Sequence, residues 1–312
     1  MTSGLPGFLE TSESGASMRQ TGLARVSLVA GSFLALTLPA SAYTTAGDRG
    51  FPATILLPQI APSDEFYATV LSQPSGGGAR DTNFSAVYDK SITDRFGVFV
   101  SEVYTISNRG PGPNAYGWQN TTLAGQYTAV IDAEHEFLAS VGLQRAFGRS
   151  GAARVGASTT GATQPFVTFG KGLGDLNIGY LRPLAISGFL GYQVSDNTSI
   201  SGDQLLLGAA VEYSVPYLNS KVSAVNLPGW VRNLTPIVEF SLTSQTSGAG
   251  AQTSATLGPG ISSTGEGWDF GIEALVPVTR SAGKGLGIAV QIHLSLDYLF
   301  PETIGKPLFG SD

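Results

Sequence analysis

His293 and Ser295 stand two residues apart, and Asp297 stands two further on. In an extended strand that spacing puts all three on one face. There an imidazole could activate a serine hydroxyl as a nucleophile while a carboxylate orients the ring. The chemistry would be acyl transfer. Alternation in the same run sets Ile292, Leu294 and Leu296 on the opposite, apolar face, and Gln291 continues the polar one. The polar face therefore reads as the inward one, whereas a hydrolase of membrane lipid would present its nucleophile toward lipid. Glu134-His135-Glu136 has ligand-type residues but no second cluster nearby, so it reads as a solvated turn. Gly172-Leu173-Gly174 could suggest a phosphate loop. No helix follows it, and the phosphate-binding mechanism needs one.

The elements that must position these residues are strands. Residues 267–300 hold two alternating runs around a polar, glycine-bearing turn at 280–285. Trp268, Phe270, Ile272, Ala274, Val276 and Val278 alternate with polar or small residues in the first run, and Leu286 to Tyr298 alternate in the second. Each run is longer than the average soluble strand of about 5–6 residues and suits a strand crossing a bilayer, which needs about 9–11. The pattern recurs at residues 65–71, 82–90, 95–106, 117–130, 135–147, 164–170, 175–181, 185–194, 203–216, 234–245 and 254–262. Apolar residues on one face and polar on the other, repeated over most of a chain, predict an all-β fold, a transmembrane antiparallel β-barrel of about twelve strands. These runs number one more than an even barrel allows, so one of the weak ones (65–71, 175–181 or 254–262) is expected to lie outside the wall.

The chain has 312 residues, 41 of them glycine, with only 13% charged and a net charge of −6. That balance points away from nucleic acid. It has no cysteine and two histidines, which excludes disulfides and thiolate metal sites; no cofactor is implied. Arg19 and Arg25 precede an apolar run at 26–38, followed by Pro39 and Ala40-Ser41-Ala42. Basic, apolar and small-residue regions in that order predict a signal peptide over residues 1–42, cleaved after Ala42, with Met18 as a start giving a more usual length. The expected organisation is thus a signal at 1–42, a periplasmic lead-in or plug at 43–80 and a barrel at 81–312, exported to the outer membrane of a Gram-negative-type cell.

The stretches YDKSITDRFGVFV at 88–100, GLGDL at 172–176, VEYSVPY at 211–217 and the run at 273–301 resemble the outer-membrane barrels labelled for the meta-pathway of phenol degradation. The resemblance spans most of the mature chain. It departs at the end, where such barrels finish on an aromatic residue and here Phe309 is followed by Gly310-Ser311-Asp312. It implies transport of small aromatic or apolar compounds.

If the apolar faces meet lipid, the lumen is lined by Glu136, Glu212, Glu239, Glu273, Gln291, His293, Ser295 and Asp297. Such a face hydrates a pore or sets its selectivity. The expected function is a passive channel with outer-membrane lipid and a small-molecule solute as partners, and no enzymatic activity. The alternatives are a non-transporting structural or surface-binding barrel and, through His293 and Ser295, an outer-membrane lipid hydrolase.

Overall fold

A computed structural model describes residues 44–309 apart from 77, 249 and 250. The expected signal peptide and the cleavage position at Ala42 lie outside the described residues. Among those described, no helix is long and apolar enough to cross a membrane.

A short hairpin, β1 (Thr44–Ala46) and β2 (Arg49–Phe51), precedes the wall. The wall is built from β3 (Glu65–Gly76), β4 (Ala79–Ser91), β5 (Phe96–Arg109), β6 (Ala115–Trp118), β7 (Thr122–Asp132), β8 (Phe137–Ala146), β9 (Ala162–Gly172), β10 (Leu184–Ser195), β11 (Gln204–Tyr213), β12 (Leu234–Gln245), β13 (Thr253–Gly265), β14 (Trp268–Pro277) and β15 (Gly287–Ser295). Every pairing is antiparallel, between sequence neighbours except that β5 also pairs with β7, and β15 pairs with β3 to close the ring. β6 and β7 are successive halves of one wall strand, both pairing with β5, so the thirteen strands of the sheet make a closed barrel of twelve. Between the halves, Gln119 N still donates to the Val103 carbonyl of β5 at 2.7 Å, while the side chains of Gln119 and Asn120 and the backbone of Thr121 reach the 147–161 loop: Gln119 Nε2 to the Val155 carbonyl at 2.9 Å, Asn120 Nδ2 to the Ser158 carbonyl at 2.8 Å, and Thr121 N to Ser150 Oγ at 2.9 Å.

Three expectations are corrected. Residues 175–181 are not a strand. β9 pairs directly with β10 from Gly172↔Ala185 onward, leaving 173–183 as their connection. Leu176, Ile178 and Tyr180 alternate, but no strand lies beside them to complete a ladder. The wall also starts at Glu65 rather than at residue 81, because β3 is the strand that closes against β15. Finally, β15 stops at Ser295, short of Tyr298. Ser295 pairs with Glu65, the first residue of β3, so the partner runs out there. Leu296 N donates instead to the Asp64 carbonyl at 2.8 Å, and the chain turns into α3 (Leu296–Leu299). Asp297 is consequently an exposed residue of α3, beyond the end of the lumen wall.

The burial pattern is inside-out relative to a soluble protein. Val141, Leu143, Val167, Leu190, Val211, Ile288 and Ile292 face outward and are exposed, while Ser140, Thr168, Ser187, Glu239 and His293 on the inward face are buried. This is the alternation of a wall between lipid and lumen. Two aromatic bands flank it: Phe96 pairs across to Tyr127 near one end, and Tyr104 to Trp118 near the other.

The interior is filled by residues 44–64, which run through the lumen before β3. Phe51, Ile60 and Ala61 pack with Ala46, Leu138 and Ala185, and Leu57 packs with Ala210 and Ile237. Small inward residues make the room. A Cβ on Gly170 would come within 2.9 Å of Phe51 and 3.0 Å of Ile60, and one on Gly208 within 2.8 Å of Leu57 Cγ. Overpacking such a seat costs about 1–3 kcal/mol. Gly170→Val is therefore expected to lower the temperature at which the folded band is lost in a heat-modifiability gel; an unchanged temperature would mean that Phe51 and Ile60 are not seated on β9.

Candidate lumen site

The inner segment is held at its base by Arg49. This guanidinium is fully buried. Its Nε donates to Glu136 Oε2 at 3.1 Å, and its terminal nitrogens donate to the Pro183 carbonyl at 3.1 Å and the Arg182 carbonyl at 2.5 Å. Its plane also lies over the Tyr217 ring at 3.8 Å. Tyr217 comes from α1 (Val215–Tyr217), in the connection between β11 and β12, and its hydroxyl donates to Glu136 Oε1 at 2.6 Å. Burial, and then the Glu136 carboxylate, push the Tyr217 phenol upward, keeping it a neutral donor. Gly174 N adds a third bond to Glu136, at 3.0 Å. Glu136 takes a left-handed backbone, φ 48°, which costs a non-glycine residue about 1–3 kcal/mol and persists only where surroundings fix it. Here the surroundings are a fully satisfied carboxylate–guanidinium pair.

Midway along, the Glu239 carboxylate of β12 accepts three successive backbone N–H groups of the inner segment: Ile55 at 2.7 Å, Leu56 at 2.7 Å and Leu57 at 3.2 Å. Three convergent N–H groups form a nest for an anion, and a wall carboxylate fills it. Glu273 of β14 lies beside Glu239 with no donor to either oxygen. Glu212 of β11 is buried nearby. Further bonds fix the rest of the path. Gln291 Nε2 donates to the Thr54 carbonyl at 3.1 Å, Gln126 Nε2 and Thr168 Oγ1 donate to the Ile60 carbonyl at 3.0 and 2.7 Å, and Asp89 accepts from Gln59 Nε2 at 2.7 Å.

His293 stands where β15 meets its two neighbours, opposite Asp269 on β14 and Tyr67 on β3. Nδ1 is 2.8 Å from Asp269 Oδ2, and Nε2 is 3.5 Å from Glu65 Oε1. The ring stacks on Tyr67 with centroids 4.5 Å apart, and the Tyr67 hydroxyl donates to Glu65. Both imidazole nitrogens are thus directed at carboxylates. Ser295 Oγ donates to Asp297, so the histidine–serine contact needed for a nucleophile is not made. Ser295→Ala is expected to leave the lipid ester profile of the host membrane unchanged; accumulation of uncleaved lipid in the variant would restore the hydrolase reading. His135 turns outward to Asp132 at 3.0 Å while Glu136 turns inward, so residues 134–136 do not converge on a metal.

Between the inner segment and the wall of β3 to β7 lies a cavity of about 380 Å³. Phe51, Ile55, Leu57 and Ile60 of the segment line it from within, and on the wall the apolar Leu71, Val87, Phe99 and Val103 interleave with the uncharged polar Thr69, Asn83, Ser85, Ser101, Thr122 and Gln144. Glu65 and His293 border it. Glu136, Glu212, Glu239 and Glu273 do not border it; Glu136 and Glu239 are occupied with the inner segment. Sequence reasoning passed over Arg49, Glu65, Tyr67, Asp89, Gln126 and Asp269. Asp269 and Glu65 carried a signal, since each is an acid in phase with an inward face; Arg49, in an aperiodic stretch, carried none.

No protein-family model matches the chain, and no curated protein matches it. Solved structures do. The barrel is similar to an outer-membrane channel from Pseudomonas putida F1, with 10% identity over 79% of this chain and 99% of that one and a TM-score of 0.50. A KdgM porin is similar at 10% identity over 74% and 98% of the two chains, TM-score 0.44. LpxR from Salmonella typhimurium is similar at 10% identity over 74% and 99%, TM-score 0.42. The fold is that of the outer-membrane β-barrels.

Proposed function

We propose that this protein is an outer-membrane channel through which small aromatic or apolar compounds pass passively, with residues 44–64 regulating the passage. The observation that carries the reading is a closed twelve-strand wall whose lumen holds a polar-bonded inner segment beside a cavity of about 380 Å³. A barrel of this size lies between small filled barrels and wide porins, and here the segment closes part of the bore. The segment is held to the wall by side-chain bonds and not by strand pairing, so its displacement breaks those bonds and leaves the ladders of the barrel intact. The cavity's mixed apolar and uncharged polar lining favours a neutral solute with one or two hydrogen-bonding groups. The phenol meta-pathway resemblance supports the aromatic class. Two of the lumen acids, Glu136 and Glu239, hold the segment rather than line an open path.

The test is conductance in planar bilayers together with uptake of phenol into proteoliposomes. The reading expects small, discrete conductance steps and phenol uptake above protein-free vesicles. Silent bilayers and uptake equal to the blank would favour the structural barrel instead.

A further inference from the structure

Two buried carboxyls at mid-wall, Glu239 of β12 and Glu273 of β14, lie together in unlike surroundings. Glu239 is fully buried and accepts the N–H groups of Ile55, Leu56 and Leu57. Glu273 is 2% exposed, and among the described residues no N–H or hydroxyl reaches either of its oxygens. What it does reach is the Glu239 carboxyl, at hydrogen-bonding distance.

The strand between them makes this contact possible. β13 places Gly258 opposite Glu239 and Gly260 opposite Glu273. A Cβ on Gly258 would collide with Glu273 Oε2, and one on Gly260 with Glu273 Cγ. The two glycines therefore leave a gap through which the Glu273 side chain crosses β13 toward β12. Leu56 of the inner segment covers that gap, its Cδ1 2.8 Å from where a Gly258 Cβ would stand. Among the described residues no cation faces the pair. β13 has no charged residue, β15 presents Ala289 opposite Glu273 with Gln291 beyond it, and residues 54–57 are uncharged. Glu212 of β11 is a third acid, and the Arg49 cation that acts on it is bonded to Glu136.

Like charges in contact and out of water are not both held, so one proton stays on the pair. It belongs to Glu273, because three N–H donors favour the anion on Glu239 and none serves Glu273. As an acid, Glu273 donates a fourth hydrogen bond to Glu239, and Leu56 lies over it dry. As an anion it would have no donor, and an unpaired buried charge costs enough to draw in water. The gap is covered by Leu56, so hydrating that anion displaces the segment.

We propose that Glu239 and Glu273 share one proton that latches the inner segment to the wall, and that alkaline loss of this proton releases residues 55–57. This deepens the regulatory role given above to residues 44–64 and rests on it for any effect on passage. In the step the Glu273 O–H bond breaks, hydroxide takes the proton, and the carboxylate left beside Glu239 is hydrated where Leu56 lay. Glu273 acts through Glu239 and is a positioning residue.

The test joins infrared spectroscopy to amide hydrogen exchange on the full protein in detergent, from about pH 6 to about pH 10, the span over which buried carboxyls lose their protons. The wild type is expected to show a protonated-carboxyl C=O band at the acid end that disappears toward the alkaline end. Over the same step, exchange of the 55–57 amides, relative to an unstructured peptide of the same sequence at the same pH, should quicken by about tenfold or more. Glu273→Gln keeps a donor to Glu239 but cannot ionise, so it should lack that band and stay protected throughout. Glu212→Gln should keep both changes. The absence of a Glu273-dependent band, wild-type protection that does not change with pH, or an alkaline release that persists in Glu273→Gln each overturns the proposal. Should Glu273→Gln not fold, the wild type decides: the two transitions must coincide, and separate ones overturn the proposal. Conductance at both ends of the range separates the two ideas, since silent bilayers with both transitions intact sink the channel reading and leave the latch standing.

Discussion

Replacing Glu239 with alanine raises the conductance of the barrel in planar bilayers, because the wall loses its hold on the middle of the inner segment. Three N–H groups, of Ile55, Leu56 and Leu57, converge on this one carboxylate. Hydrogen bonds to a charged group contribute about 1.5–3 kcal/mol each, and buried donors left without an acceptor carry their own desolvation cost. Part of that loss is recovered by water, so a net loss of about 3 kcal/mol is a reasonable scale. It would move the ratio of displaced to docked segment by roughly a hundredfold. Glu239→Gln keeps one acceptor oxygen and falls between. Conductance unchanged from wild type in the alanine variant, with the folded band intact, would show that the Glu239 contact does not limit passage.

Arg49→Ala is expected to have the largest effect on stability. It removes a guanidinium that satisfies Glu136 and two backbone carbonyls, and it leaves Glu136 buried without its cation. Breaking a buried ion pair from one side costs about 3–5 kcal/mol. The Tyr217 and Gly174 donors still reach Glu136, which places the loss at the lower end of that range. Arg49→Lys should recover little, since an ammonium cannot reproduce the fork or the stack on Tyr217. The readout is the midpoint of the folded-to-unfolded gel shift with temperature. A midpoint equal to wild type in Arg49→Ala would contradict the anchoring role.

The wall was legible in the sequence for a local reason. Period-two alternation survives wherever one face meets lipid and the other meets the lumen, so runs such as 203–216 and 234–245 identify themselves. Residues 175–181 misled because they alternate without a neighbour to pair with, a condition no local pattern reveals. Leu296 to Tyr298 misled in the same way: alternation continues past Ser295, but β3 has already begun and offers no further partner. The site was legible only by face. Phase sets His293 and Glu239 on the inward side, yet it says nothing of Asp269 and Glu65 on the adjoining strands or of the backbone of Ile55 to Leu57, about 180 residues away in sequence. The inner segment itself has no period, because its conformation is set by the wall around it and not by its own propensity.

The central claim is that passage requires the inner segment to move. The chain has no cysteine, so a single engineered pair can test this without interference. Leu57→Cys with Gly208→Cys suits the geometry: a Cβ on Gly208 would lie 2.8 Å from Leu57 Cγ, which brings the two Cβ atoms near the roughly 3.8 Å of a disulfide. The measurement is phenol uptake into proteoliposomes holding this variant, before and after reduction. Uptake suppressed to the protein-free rate while oxidised, and restored by reductant, is the predicted result. The same uptake in both states, with the cross-link verified by mass, would contradict the account and place the solute path in a fixed gap beside a static segment.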